Sequence, residues 1–259
     1  DLNSAKNWVD AVMQDSLFGN AGKNILIEEC LFGTELSFMG ILTPKEFIPF
    51  ETSVDYKPLL DGNNGANTGG MGCISPSPFM NDELKNTVMQ KVVQPTIDGL
   101  NKLGIHYYGF MYFGLMVKDN NPKVLEFNCR LGDPETQCLM MQMESDLVDC
   151  LTDALKNNKV TINWKKGASM GVVIASDGYP GRYAINKQIS FGDTKNLKVF
   201  HAGTKSTNGI LQTSGGRVFS VNYHGETLDL CSKYIYKNIE EVQFDGNIYR
   251  KDIGKIYES

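Results

Sequence analysis

The sequence is poor in several features that mark functional classes. It has only three His (His106, His201 and His224), far apart along the chain, which argues against a His-rich metal centre. Its six Cys (Cys30, Cys73, Cys129, Cys138, Cys150 and Cys231) include no C-x-x-C pair, and their spacings suit no zinc site. In a chain of this size they read as reduced thiols of a cytosolic protein. No apolar run approaches the roughly 18 residues of a membrane span. The start, "DLNSAKNWVD", is polar and has no signal-peptide core. Basic stripes are missing, and 25 Lys and Arg against 30 Asp and Glu leave a net charge of −5. That argues against nucleic acid as a partner. There is no Gly-Lys-Ser/Thr of a Walker A loop, no G-x-G-x-x-G, no internal repeat and no low-complexity segment.

The rest is ordinary globular material. The 259 residues are enough for one large domain or two smaller ones, and 41% of them are hydrophobic. Apolar periodicity predicts a helix over 4–15, with Ala5, Trp8, Val9, Val12 and Met13 on one face. Strands are expected at "NILIEE" (24–29), "TELSFMGIL" and "EFIPF". Residues 55–78 read as a long Gly-, Asn- and Pro-rich loop, and such loops are usually functional or mobile. A helix over 81–103 is capped by Asn81 and kinked or divided by Pro95. "YYGFMYFGLMV" and "KVLEFN" form two strands joined at "KDNNP". Ser145 caps a helix through Leu155, and a linker near 157–167 follows. The tail from 168 alternates short strands with Gly-rich turns and one helix near 226–240, which suggests a small α+β unit.

Four stretches can carry chemistry. In "EFNCRLGDPETQ" (126–137), strand alternation points Val124, Glu126 and Asn128 one way, and Leu125 and Phe127 the other. A carboxylate beside an amide oxygen suits Mg²⁺, which takes few protein oxygens and completes its shell with water and phosphate. A solvated polar strand end fits the same residues. "GDPE" is a good helix start, with Asp133 as cap, Pro134 at the first position and Glu135 at the positive end. Arg130 stands between strand and helix, where it can hold a phosphate or carboxylate or simply lie on the surface. "DGNNGANTGGMG" (61–72) can cradle an anion with backbone N–H groups, or be a flexible turn. Asp55 and Lys57 just before it can anchor a polar ligand. Glu28, Glu29 and Glu35 sit at the end of an apolar run, able to serve a base and a ribose or to remain exposed acids.

Together these pieces resemble an ATP-grasp ligase, and more closely the glycinamide ribonucleotide synthetases (phosphoribosylamine–glycine ligases). "FGNAG", "IEECLFGTELSF", "GANTGGMG", "SPSP", "GLMV", "KVLEFNCRLGDPETQ", "SDL", "GYPGRY", "VFHAGT", "GGRV" and "YRKDIG" occur in that family's order and at about its spacing. The resemblance runs over nearly the whole chain, and the "RLGDPETQ" run is its most specific part. It implies an α+β fold: an ATP-grasp core of antiparallel sheets flanked by helices over 1–163, then a small C-terminal α+β domain over 164–259. It implies ligation of glycine to phosphoribosylamine, with ATP split to ADP and phosphate through a glycyl phosphate, in purine synthesis. ATP and Mg²⁺ (or Mn²⁺) are the implied cofactors; the partners are small molecules, with neither nucleic acid nor membrane, and fusion to other purine enzymes occurs among relatives.

By the same resemblance, Glu28, Glu29 and Leu31 serve the adenine and Glu35 the ribose. Glu126 and Asn128 hold the metal, and Arg130 is the catalytic cation on the transferring phosphoryl. Asp55, Lys57, Asn67, Thr68, Gly69 and Gly70 face the substrate. Asp133, Pro134, Glu135, Thr136 and Gln137 hold the phosphoribosylamine phosphate or shape its pocket. Gly178–Gly181 and His201–Thr204 line the cleft. The chain departs from the family at Tyr56, usually His, and at Pro58, usually Arg. It also starts late: the family's N-terminal α/β domain and Lys- and Gly-rich phosphate loop do not precede the 4–15 helix. The chain therefore corresponds to a C-terminal part, inactive alone. The alternatives are a non-catalytic nucleotide-binding or scaffolding remnant of such a ligase, and a different ATP-grasp carboxylate–amine ligase.

Overall fold

A computed structural model describes residues 1–256; the last three residues of the expected 164–259 domain lie outside the described part. The described chain forms two compact units, one ending at Phe32 and one starting at Gly33. In the first, helix Leu2–Met13 is capped by Asp1, whose carboxylate accepts from the Ser4 N–H at 2.9 Å. Of its predicted apolar face only Val12 is buried. The expected strand at 24–29 does not form: residues 24–32 carry no regular structure, and Leu26, Ile27 and Phe32 are exposed. A strand needs a ladder partner for its backbone, and none of the described strands pairs with this segment.

From Gly33 onward two antiparallel sheets dominate. The smaller has the order Phe47–Pro49, Thr34–Leu42, Gly109–Lys118, Asn121–Asn128. Its central strands are buried on both faces, so alternation sorts core from core. Leu36, Phe38, Leu42, Phe113 and Leu115 pack under Leu84, Val88, Val92 and Ile97 of the helical stretch 82–102. Met39, Ile41 and Tyr112 point the other way, against Leu139, Cys150 and Ala154. Asn81 caps that helical stretch as expected, accepting from the Leu84 N–H at 2.8 Å. Pro95 divides it: a π-turn at Met89–Val93 precedes the Gln94–Lys102 helix, where the missing proline N–H falls in the first turn.

The larger sheet has the order Lys198–His201, Arg217–Gly225, Ala168–Ser176, Gly72–Ser75, Val54–Asp55, with Asn247–Ile248 also on Ala168–Ser176. It therefore draws strands from both sides of residue 164. Helix Leu228–Asn238, capped by Thr227, closes one face with Cys231 and Ile235. Helix Glu135–Gln142 packs against its strands Gly72–Ser75, Ala168–Ser176 and Arg217–Gly225, while its Leu139 enters the core of the smaller sheet. This central helix begins at the "RLGDPE" motif.

Four local expectations are corrected. Residues 55–78 are not structureless: short strands occupy Pro58–Leu60, Asn64–Asn67 and Gly72–Ser75. Asp146, not Ser145, caps helix Leu147–Leu155, accepting from Val148 and Asp149 N–H at 2.8 and 3.2 Å. Ser145 instead accepts from the Asn163 N–H. Asp133 does not cap helix Glu135–Gln142; its carboxylate accepts from Gln137 and Arg217. The 157–167 stretch is no free linker, because Trp164 packs edge-on against Phe50 with ring centroids 5.8 Å apart.

Candidate active site

The register of the smaller sheet builds the floor of the site. Ser37, Gly114 and Glu126 stand in one row across three strands, and Met39, Tyr112 and Asn128 in the next. Gly114 has to be glycine, because an added Cβ would lie 2.9 Å from the Glu126 side chain. A bulge at Leu125 breaks the alternation expected of this strand, since Gly114 pairs with Glu126 but Leu115 with Val124. Val124 thus packs into the helix-side core, while Leu125 and Glu126 both line the cleft. Val124 and Glu126 do not share a face, as ideal alternation required.

The cleft above this floor holds about 450 Å³. Glu35, Asp55, Lys57, Asn67, Thr68 and Gly69 line it. So do Glu126, Asn128, Arg130, Asp133 and Glu135. Glu135, only 2% exposed, takes a 3.1 Å hydrogen bond from Ser37, which also meets the Tyr112 hydroxyl at 3.1 Å. Asp55 has a side chain 5% exposed and pairs with Lys57 at 2.8 Å through Oδ2, while Lys57 lies 3.9 Å from Glu35. Burial, then the neighbouring Glu135, pushes the Asp55 carboxyl up to about 7 against the pull of Lys57. Burial likewise raises Glu135.

The 67–70 loop is clamped by Arg217, which sequence reasoning did not single out, and by Tyr179 of the Gly178–Gly181 stretch. Arg217 donates to Gly69 O at 2.6 Å and Asp133 O at 2.7 Å, and pairs with the Asp133 carboxylate at 3.1 Å. Tyr179 accepts the Gly69 N–H at 2.9 Å. Gly70 sits at φ +111°, and a Cβ there would fall 2.4 Å from Pro134 and 2.5 Å from Asp55 Oδ1. Behind the loop, Arg250 donates to Pro58 O at 3.0 Å and lies 5.2 Å from the Tyr56 ring centre. Both positions that depart from the family pattern are thus engaged by one buried arginine.

The remaining expected residues stand elsewhere. Gly70, Pro134, Thr136 and Gln137 are not among the described lining residues. Thr136 bonds back to Gly132 O, and Gln137 donates to Asp133 at 2.9 Å. Glu28, Glu29 and Leu31 belong to the N-terminal unit, in its segment without regular structure. Gly178–Gly181 and His201–Thr204 are also absent from the lining; His201 packs edge-on against Phe219 at 5.0 Å. The sequence signals for the missed residues were "GGRV", whose Arg217 reaches the loop, and the alternation that puts Tyr112 on the face of Gly114.

A hard divalent cation fits the donors present. Glu126 offers a carboxylate and Asn128 an amide, and the Asn128 Nδ2 is buried with no hydrogen-bond partner. A half-turn of that amide exchanges its nitrogen for an oxygen donor. Among the described residues no group of three or more His, Cys, Asp or Glu could hold a metal. Two oxygens from the protein, with the rest of the shell left to water and phosphate, match Mg²⁺ rather than zinc. No described helix is long and apolar enough to cross a membrane.

Comparison with known proteins agrees with the motif order. The ATP-grasp (A) domain of phosphoribosylglycinamide synthetase matches residues 1–136, and the C domain of the same enzyme matches 169–256. The phosphoribosylamine–glycine ligase of Clostridium acetobutylicum is 42% identical over 98% of this chain and 62% of its own length. That of Salmonella typhimurium is 42% identical over 98% and 61%. The crystal structure of the Thermotoga maritima ligase superposes with a TM-score of 0.81 at 34% identity, covering 87% of this chain and 57% of that one. The chain spans about 60% of the length of these relatives. With both domain matches and the ATP-grasp arrangement of sheets and helices, the chain belongs to the phosphoribosylglycinamide synthetase family.

Proposed function

We propose that this chain supplies much of the active site of a phosphoribosylamine–glycine ligase, which joins glycine to 5-phosphoribosylamine and splits ATP to ADP and phosphate. The observation that carries the reading is the convergence of Glu126, Asn128 and Arg130 with Asp55, Lys57 and the Asn67–Gly69 loop on one cleft, in a chain of this family. A glycine carboxylate oxygen attacks the γ-phosphorus of ATP; the new O–P bond forms as the bond to ADP breaks. The amine of phosphoribosylamine then forms the amide C–N bond, and phosphate leaves. Such phosphoryl transfer is catalysed chiefly by positioning and by neutralising charge.

In this reading Arg130 faces the transferring phosphoryl group with its guanidinium. Glu126 and Asn128 hold Mg²⁺ or Mn²⁺, whose charge offsets that of the ATP phosphates. Glu35 takes the ribose hydroxyls. Lys57 and the Asn67–Gly70 loop bind substrate, held by Arg217 and Tyr179. Asp133–Gln137 shape the phosphoribosylamine pocket. Six free thiols agree with a reducing, cytoplasmic setting. The test is ADP release by the full-length natural protein, expected only when glycine and phosphoribosylamine are both present. Turnover with another acid and amine, and none with this pair, overturns the assignment.

A further inference from the structure

The 67–70 loop is anchored at its ends by near neighbours and in its middle by distant ones. Asn67 pairs with Pro58, and the Thr68 N–H and hydroxyl both donate to Lys57 O, at 2.9 and 2.7 Å. The Met71 N–H donates to Tyr56 O at 2.9 Å. Between these anchors, the Gly69 N–H donates to the Tyr179 hydroxyl and the Gly69 carbonyl accepts from Arg217. Two consecutive glycines have little conformational preference of their own, so the distant side chains set the path of the chain here. Glycine also lets them come close. A Cβ at Gly69 would lie 3.1 Å from Arg217 Cζ and 3.2 Å from the Tyr179 hydroxyl, and one at Gly216 would run into the Tyr179 ring.

Arg217 ties this peptide to a second segment of the cleft. Its Nη1 donates to Gly69 O at 2.6 Å and to Asp133 O at 2.7 Å, and its Nη2 to the Asp133 carboxylate at 3.1 Å. Gly69 and Asp133 both line the cleft, while Arg217 is not among the described lining residues. The other Asp133 oxygen accepts from Gln137, in the first turn of helix Glu135–Gln142. One planar guanidinium thus sets the spacing between two lining segments. A lysine ammonium offers a single nitrogen and cannot hold the two carbonyls and the carboxylate in this geometry.

We propose that Arg217 is a positioning residue for phosphoribosylamine, which fixes the 67–70 loop against the 133–137 segment so that the two form one pocket. The inference rests on the ligase reading above, which assigns both segments to substrate. Arg217 acts through them and touches no reacting atom. Glu126 and Asn128 stand on a strand of the smaller sheet, whereas Arg217 belongs to the larger one. Loss of the clamp therefore loosens the substrate pocket and leaves the metal pair in place.

The test uses the full-length natural protein. Arg217→Lys keeps the charge and most of the stem but not the fork. The KM for phosphoribosylamine is expected to rise by roughly 10-fold or more, the range for losing hydrogen bonds from a charged group. The kcat and the KM for ATP should stay within a few-fold of native. Tyr179→Phe keeps the ring on Gly216 and releases only the Gly69 N–H, so it should show the same split at smaller size. A merely structural Arg217 gives the opposite pattern, because a partly unfolded preparation loses kcat and melting temperature while its KM values stay put. An unmoved KM for phosphoribosylamine in either variant, or an equal rise in the KM for ATP, overturns the proposal alone. No turnover of native protein with this substrate pair overturns the ligase reading, and the proposal with it.

Discussion

Two buried charge clusters face each other across the 55–63 segment, and they are built to opposite rules. Arg250, 1% exposed, has each of its three guanidinium nitrogens engaged. Asp252 takes Nε and Nη2 at 2.8 and 2.7 Å, Asn63 takes Nη2, and Pro58 O takes Nη1. The second Asp252 oxygen also accepts the Gly62 N–H at 2.8 Å. On the cleft side, Asp55 and Glu35 share one Lys57, Glu135 takes a hydrogen bond from Ser37, and Asp55 Oδ1 has no hydrogen-bond partner. Both clusters bury charge. Only the incomplete one leaves a buried carboxylate oxygen without a hydrogen-bond partner. Completeness of pairing, more than burial, separates the two clusters.

The comparison is sharpest where the expected loss is total in one quantity and absent in the other. Glu126→Ala removes a solvent-facing carboxylate from the cleft floor, with only the contact of its side chain over Gly114 lost beside it. Turnover of the full-length protein should fall by at least about 10²-fold, and Mn²⁺ affinity should weaken with it. The melting temperature should stay close to native, as for surface substitutions. Near-native turnover would remove Glu126 from the metal site. Arg250→Ala is the mirror image. It removes the cation beside the buried Asp252 carboxylate and frees the 58–63 loop, at a cost of roughly 3–5 kcal/mol. A denaturant melt of Arg250→Ala that matches native would show the complete cluster to be dispensable.

The sequence carried the main elements because local physics decides them. The runs 34–42 and 109–118 are strands through apolar content, Asn81 caps because its side chain reaches Leu84, and Asp119 and Asn120 turn a hairpin at positive φ. The failures come from long-range or competing terms. The apolar run at 24–29 had no ladder partner, and Asp146 outcompeted Ser145 as a cap by one residue. The site was half legible. Glu126, Asn128, Arg130, Asp55 and Lys57 are side chains of motifs. Ser37, Tyr112 and Arg217 act through register and through contacts spanning 75 to 148 positions, which local pattern does not encode. The bulge at Leu125, too, exists only once the neighbouring strand is in place.

The last test probes the incomplete cluster in the absence of substrate. Asp55 is raised from an ordinary 3.8 to about 7 by burial first and Glu135 second. For a carboxyl raised on folding, the native state binds the proton more tightly than the unfolded chain does. Its contribution to stability is therefore full below about pH 4 and is lost as the pH climbs through about 7. Asp55→Asn deletes this titration and leaves the other groups in place. The stability of native protein minus that of Asp55→Asn should thus fall by on the order of 4 kcal/mol between pH 4 and pH 8, read from urea melts across that range. Arg250 and Asp252 are unchanged in the pair, so their contribution cancels. A difference that stays flat with pH would mean that Lys57 fully compensates Asp55, and the two clusters would then be complete in the same sense.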